Sequence, residues 1–198
     1  MRQDLSSLAL DFLAPGHPQV SNAVLPLYCA AFPAEERVPF PVLCKKAQGG
    51  SAAFWGLSLC SRFCGFAYCY DTGPAVFLMY LAILPELRGK GLGGQALGLL
   101  ARRYPGRTFT LDIELYDPAA PITDLRTRRR NFYLRSGYLA SGLGYSWEQV
   151  RYELLLSGGT LTLAEWQQVF RPAFGAKKQI ELIPLAELLN DQREAGAE

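Results

Sequence analysis

Arg88-Gly89-Lys90-Gly91-Leu92-Gly93-Gly94 constrains this chain more than any other stretch. It follows an unbroken apolar run, Ala75 to Leu84, and opens a helical pattern. A strand that ends in a glycine-rich, basic turn at a helix start is a phosphate site. The first amides of a helix have no partner within it and point outward, and the helix dipole adds partial positive charge there. Side chains would block the ligand, so glycine is required, while Arg88 and Lys90 add full charges that suit a pyrophosphate.

Spacing separates the ligand classes that such a turn accepts. In a dinucleotide fold the first glycine follows the strand almost at once, with an acidic residue about 20 positions on. Gly91 to Ala96 can be forced into that pattern with Asp112 as the acid, but Pro85-Glu86-Leu87-Arg88 intervenes and the chain before Ala75 lacks strand and helix alternation. A Walker A loop is excluded, because Gly89-Lys90 is not followed by Ser or Thr.

Length and composition agree with one intracellular enzyme domain. At 198 residues and 49% hydrophobic content the chain can fill a sizeable core. A net charge of +2 gives no reason to expect a nucleic-acid partner. The stretch Leu8 to Ala14 is short and holds Asp11, so no secretory signal is read, and no run reaches membrane-spanning length; a soluble, cytoplasmic protein is expected. The cysteines, Cys29, Cys44, Cys60, Cys64 and Cys69, are odd in number and are read as buried thiols in a reducing compartment. They form no CxxC pair, and His17 is the sole histidine, so no metal site is expected.

Periodicity places the elements. Leu5 to Leu13 is a strand; Val20 to Phe32 and Phe40 to Ala47 are helical; Ala52 to Leu59 and Phe63 to Tyr70 form a hairpin joined by Cys60-Ser61-Arg62. The strand ending at Leu84 is followed by a helix from Gly91 with Leu92, Ala96, Leu99 and Leu100 on one face. Thr108 to Leu115 is a strand with Thr110, Asp112 and Glu114 on one face and Phe109, Leu111 and Ile113 on the other. Thr123 caps a helix carrying Phe132 and Tyr133, which Gly137 ends. Tyr138 to Tyr145 and Glu148 to Leu156 are closing strands, Thr162-Leu163-Ala164-Glu165 is a capping box for a helix to Phe170, and Pro184 to Gln192 is a last helix.

The glycine turn resembles motif A of the GCN5-related N-acetyltransferases (GNAT), whose pattern of Arg or Gln, two residues, Gly, one residue, Gly or Ala is met by Arg88, Gly91 and Gly93. Upstream, Leu81 to Glu86 is similar to the family's fourth strand and its exit. Downstream, Asn131-Phe132-Tyr133-Leu134-Arg135-Ser136-Gly137-Tyr138 is similar to its Phe-Tyr, three residues, Gly-Phe/Tyr signature. Two motifs in the right order, about forty residues apart, are more specific than either alone. The resemblance implies a mixed α/β, strongly twisted, mostly antiparallel sheet of six to seven strands flanked by helices. It implies one acetyltransferase domain over residues 1–175, with residues 176–198 as a C-terminal helix and polar tail.

The resemblance also implies the chemistry: acetyl-CoA as donor, direct transfer within a ternary complex, and a small-molecule or peptide amine as acceptor, in a monomer or homodimer. It assigns the thioester carbonyl to backbone amides near Leu81, Ala82 and Ile83. Pyrophosphate falls to Arg88, Gly89, Lys90, Gly91, Leu92, Gly93 and Gly94, and proton donation to Tyr133. Asp112 stands where some members carry a glutamate base, and Glu114 shares its face; either is a base or a structural carboxylate. Phe32, Glu35 and Glu36 lie where the family often builds its acceptor pocket. Many members place an asparagine seven residues before the tyrosine to hold the pantetheine arm, whereas this chain has Arg126 there. Arg126, Arg130 and Tyr133 form one helical stripe, so the two arginines either reach cofactor phosphates or belong to a solvated basic face with Arg128, Arg129 and Arg135. The rival from another class is a non-catalytic acyl-CoA-binding or sensing module of the same fold.

Overall fold

The computed structural model describes residues 8–175 and 180–195. The chain divides into two compact units, Met1–Asp71 with Leu78–Arg107 and Thr72–Phe77 with Thr108–Glu198. Strands are hydrogen-bonded in the order β1-β2-β3-β4-β5-β7-β6-β8.

In the first unit, β1 (Leu8–Leu13) is followed by a π-type turn at Val20–Val24 that runs into α1 (Leu25–Ala31), and α2 spans Phe40–Gln48. The expected strand residues Leu5 to Ser7 lie outside the described residues. β2 (Ala52–Leu59) and β3 (Arg62–Asp71) form the expected antiparallel hairpin. Its two-residue turn places Cys60 and Ser61 at φ 50° and 62°, the left-handed pair that matches the twist of the flanking strands. β4 (Val76–Ile83) runs from the second unit into the first, and α3 (Leu92–Arg103) follows the glycine turn. Leu92, Ala96, Leu97 and Leu100 are the buried face of α3. The expected Leu99 is only half-buried: Leu97 and Leu99 flank the row of Leu92, Ala96 and Leu100 on opposite sides, and the covered flank is that of Leu97. Ala96 packs with Leu57 and Cys64, bordered by Leu81, Ile83 and Leu87.

The second unit holds β5 (Phe109–Glu114), α4 (Leu125–Arg135), β6 (Leu139–Trp147), β7 (Val150–Leu156), α5 (Leu163–Phe174), the two-residue β8 (Ile183–Pro184) and α6 (Leu185–Ala195). β5 is parallel to β4 over Val76–Phe77 and Phe109–Thr110 and antiparallel to β7 over Thr110–Glu114. Among the described residues eight strands therefore stand where six to seven are expected, because β8, too short to register in a hydrophobic pattern, adds to β6 at Leu143 and Gly144. Asp124, not Thr123, caps α4: its carboxylate accepts the N–H groups of Arg126 and Thr127, both at 2.9 Å. The capping box of Thr162 and Glu165 forms as expected, but α5 runs past Phe170 to Phe174 with Pro172 inside it. The apolar face continues there, Phe174 meeting the rings of Trp147 and Tyr145. Among the described residues no helix is long and apolar enough to cross a membrane.

Candidate active site

The glycine turn lies wholly within the first unit. Gly89 and Gly91 have φ of 75° and 78°, so both sit in the left-handed region that favours glycine over residues with a side chain. A Cβ placed on either would meet no atom within 4 Å. Glycine is thus needed here for backbone conformation, and the space over the turn is open to a ligand. Gly91 is the residue that caps α3, whose leading amides have no helical acceptor. Unpartnered helix amides beside two glycines without side chains are an arrangement that suits an anion. Lys90 is exposed and makes no ion pair among the described residues. Arg88 is exposed but turned back, its Nε–H donating to the Ile83 carbonyl at 3.0 Å, so it fastens the exit of β4 to the turn.

The Val76 N–H donates to the Thr108 carbonyl, and the Leu84 N–H donates to the Cys64 carbonyl on β3. The first bond goes to the residue just before β5 and the second, from just past the end of β4, to β3. Leu81 and Ile83 are half-buried and Ala82 is buried in this stretch.

The acceptor-side residues Phe32, Glu35 and Glu36 also lie in the first unit. Phe32 is edge-on to Tyr80 with ring centroids 4.7 Å apart. The Tyr80 hydroxyl donates to the Glu36 carbonyl at 3.0 Å and accepts the Val38 N–H at 3.2 Å, while Tyr28 donates to the Val38 carbonyl at 2.8 Å. Phenols therefore pin the backbone of this turn and leave Glu35 exposed.

The titratable groups expected for proton transfer lie in the second unit. Tyr133 has its phenol pushed up to about 12, chiefly by burial, with Arg129 opposing and Asp112 adding to the shift. Its hydroxyl makes no hydrogen bond among the described residues, and its ring meets Phe132 and Tyr138. A phenol in this state keeps its proton and has it free to donate. Asp112 and Glu114 share a strand but not a role. Asp112 accepts a hydrogen bond from the Tyr145 hydroxyl, and burial pushes its carboxyl above the usual range, against the pull of that bond and of Arg129. Glu114 instead pairs with Arg126. Arg130, the other arginine of the stripe, is bound to the fully buried Glu153. Both arginines are thus engaged by carboxylates of their own unit. Sequence reading passed over Tyr145 and Glu153; the available signal was a lone carboxylate inside the apolar strand Tyr152 to Leu156. No cluster of metal-ligating side chains occurs among the described residues.

The family model described as "Acetyltransferase (GNAT) family" matches residues 21–138, more than half of the chain. The chain belongs to the GNAT acetyltransferase family. Both motifs read from the sequence fall inside that match. Among the curated proteins compared by sequence, none matches. Solved GNAT structures share the fold. One is a GNAT-family protein from Bacteroides thetaiotaomicron, with TM-score 0.66 and 19% identity over 83% of this chain and 97% of that one. Another is an aminoglycoside 6'-N-acetyltransferase complexed with coenzyme A, with TM-score 0.60 and 13% identity over 78% and 99%. A third is the ribosomal-protein-S18-alanine N-acetyltransferase from Escherichia coli, with TM-score 0.53 and 15% identity over 79% and 96%. At such identities the likeness is one of fold, and the family assignment rests on the sequence match.

Proposed function

We propose that this GNAT protein is an N-acetyltransferase that moves an acetyl group from acetyl-CoA to an amine of a small molecule or peptide, directly within a ternary complex. The observation that carries this reading is the open glycine turn at the head of α3, with left-handed Gly89 and Gly91 and nothing over them. Its amides and Lys90 would hold the pyrophosphate, and backbone amides around Leu81 to Ile83 would hold the thioester carbonyl. Bound acetyl-CoA supplies the activated acyl group. The chain's residues then manage protons: the amine must lose one as its nitrogen bonds to carbon, and the departing sulfur must gain one as the carbon–sulfur bond breaks. Tyr133 gives its proton to the sulfur and regains one from solvent, and Asp112, Glu114 or water takes the proton of the amine.

The test is a two-step one. Acetyl-CoA, at about 100 times its Kd, should stabilise the native protein by about 2.7 kcal/mol, with no shift from NAD or NADP. CoA release is then followed against a panel of amines, amino acids, polyamines and peptide N-termini. Stabilisation without CoA release from any acceptor would favour an acyl-CoA-binding module instead, and no stabilisation at all would remove both readings.

A further inference from the structure

Helix α4 carries Tyr133 yet has little apolar surface to hold it. None of its eleven residues is fully buried, and five are arginines. An amphipathic helix is normally fixed by its apolar stripe; this one has only half-buried Phe132, Tyr133 and Leu134 and adds two ion pairs, which are unequal. Arg126 and Glu114 have side chains 45% and 26% exposed, and such surface pairs contribute about 0–1 kcal/mol. Arg130 is 19% exposed and Glu153 is wholly buried. The Arg130 Nε–H donates to Glu153 Oε2 at 2.7 Å and its Nη2–H to Oε1 at 3.1 Å. The guanidinium also lies 4.4 Å from the centroid of the Tyr116 ring.

A carboxylate inside an apolar strand costs desolvation energy that only good geometry repays, and apolar replacements of such pairs are often at least as stable. What the pair adds over an apolar contact is direction. Two parallel N–H···O bonds hold the planar guanidinium by its edge on β7, and the Tyr116 ring adds a cation–π contact. A helix gripped at one arginine in this way has its rotation and height set there. Tyr133 is three residues on, on the same side of the helix.

We propose that Arg130 and Glu153 are positioning residues that set the rotation of α4 and so aim the Tyr133 hydroxyl, an inference that rests on Tyr133 as the proton donor. The test uses the full chain carrying 3-fluorotyrosine, the Tyr133 resonance being identified by its loss in Tyr133→Phe. Glu153→Gln should shift or broaden that resonance and lower kcat by about 10- to 100-fold, the scale of a misplaced catalytic group. The KM for acetyl-CoA should stay within about twofold, because the glycine turn is untouched. Arg130→Lys, which keeps the charge and loses the fork, should do the same to a smaller degree. In a Tyr133→Phe background Glu153→Gln should cost no further kcat. An unmoved resonance with unchanged kcat in both variants overturns the proposal, even if Tm falls, and so does an equal loss of kcat in the Tyr133→Phe background. A moved resonance with a silent Tyr133→Phe removes the proton-donor reading while leaving the hold on the helix standing. If Glu153→Gln does not fold, Arg130→Lys decides on the same readouts.

Discussion

The glycine turn of the first unit and helix α4 of the second solve opposite problems. The turn needs backbone conformation and empty space: its working groups are main-chain amides, and Gly89 and Gly91 supply left-handed φ with no side chain. Helix α4 needs one side chain aimed, and it is tethered through contacts with β5 and β7, Arg126 to Glu114 and Arg130 to Glu153. The first device is local in sequence and tolerates almost no substitution. The second is spread over about forty residues of chain, and its parts can be altered one at a time.

The sharpest way to break the comparison is at Gly91. Gly91→Glu should abolish acetyl-CoA binding by calorimetry, because it sets an anion and a Cβ where the amides face the pyrophosphate. Gly91→Ala separates strain from charge: its cost of roughly 1–2 kcal/mol for a left-handed non-glycine residue should appear in stability, with binding only weakened. Gly98→Ala is the control, since its Cβ would meet only Arg102 Nη1 at 3.7 Å, and it should be neutral or slightly stabilising. Full affinity in a folded Gly91→Glu protein would remove the cofactor assignment.

The same contrast explains what the sequence disclosed. The turn was legible because everything it needs lies in seven consecutive residues, and the Phe132-Tyr133 to Gly137-Tyr138 signature because it spans one helix end. The hairpin of β2 and β3 was legible from two aromatic-rich apolar runs joined by Cys60-Ser61-Arg62. The pairings were not. Nothing in the order of residues says that Asp112 meets Tyr145, 33 positions on, or that Arg130 meets Glu153, because β7 enters between β5 and β6. A stripe of Arg126 and Arg130 reads the same whether it faces phosphate, solvent or carboxylates. β8 escaped because two residues carry no period.

At Tyr133 the comparison predicts a split. Tyr133→Phe should lower kcat by roughly 10- to 1000-fold while leaving acetyl-CoA affinity nearly intact, because the ring stays and only the proton is lost. A parallel fall in affinity would mean that α4 serves binding as well as chemistry. Full kcat with a good acceptor would mean that the sulfur takes its proton from water.

The two carboxylates of β5 should separate in turn. Asp112→Asn should lower kcat more than Glu114→Gln when assayed below the pKa of the acceptor amine, since Asp112 carries the perturbed proton affinity. Equal, small losses would assign deprotonation to solvent. Stability gives an independent sign. Burial raises the Asp112 pKa above its unfolded value, so the folded state holds the proton more tightly and stability falls as pH rises through that window. Asn still accepts the Tyr145 hydrogen bond without the charge. Asp112→Asn should therefore melt higher than the native protein at pH 7, and the gap should close as pH falls below about 4, where both states are protonated. A gap that persists at low pH would mean a packing effect.

The smallest expected effect concerns the thiols, and it bears on the division of labour. No disulfide joins any of the five cysteines, and all lie in the first unit; the second, which carries Tyr133 and Asp112, has none. The expectation of buried thiols holds for Cys64 and Cys69, with Cys64 pushed up to about 11 and Cys69 also raised by burial. It fails for Cys29 and Cys60, which are exposed because one lies on the outer side of α1 and the other in the hairpin turn. A thiol reagent should accordingly label Cys29 and Cys60 in the native protein, Cys44 slowly, and Cys64 and Cys69 only on unfolding, as read by mass spectrometry. Acetyl transfer should survive labelling of the two fast thiols, since direct transfer uses no cysteine. Loss of activity that tracks one fast thiol, and is reproduced by its replacement with serine, would instead place a covalent acetyl-cysteine step in the first unit and leave Tyr133 a structural residue.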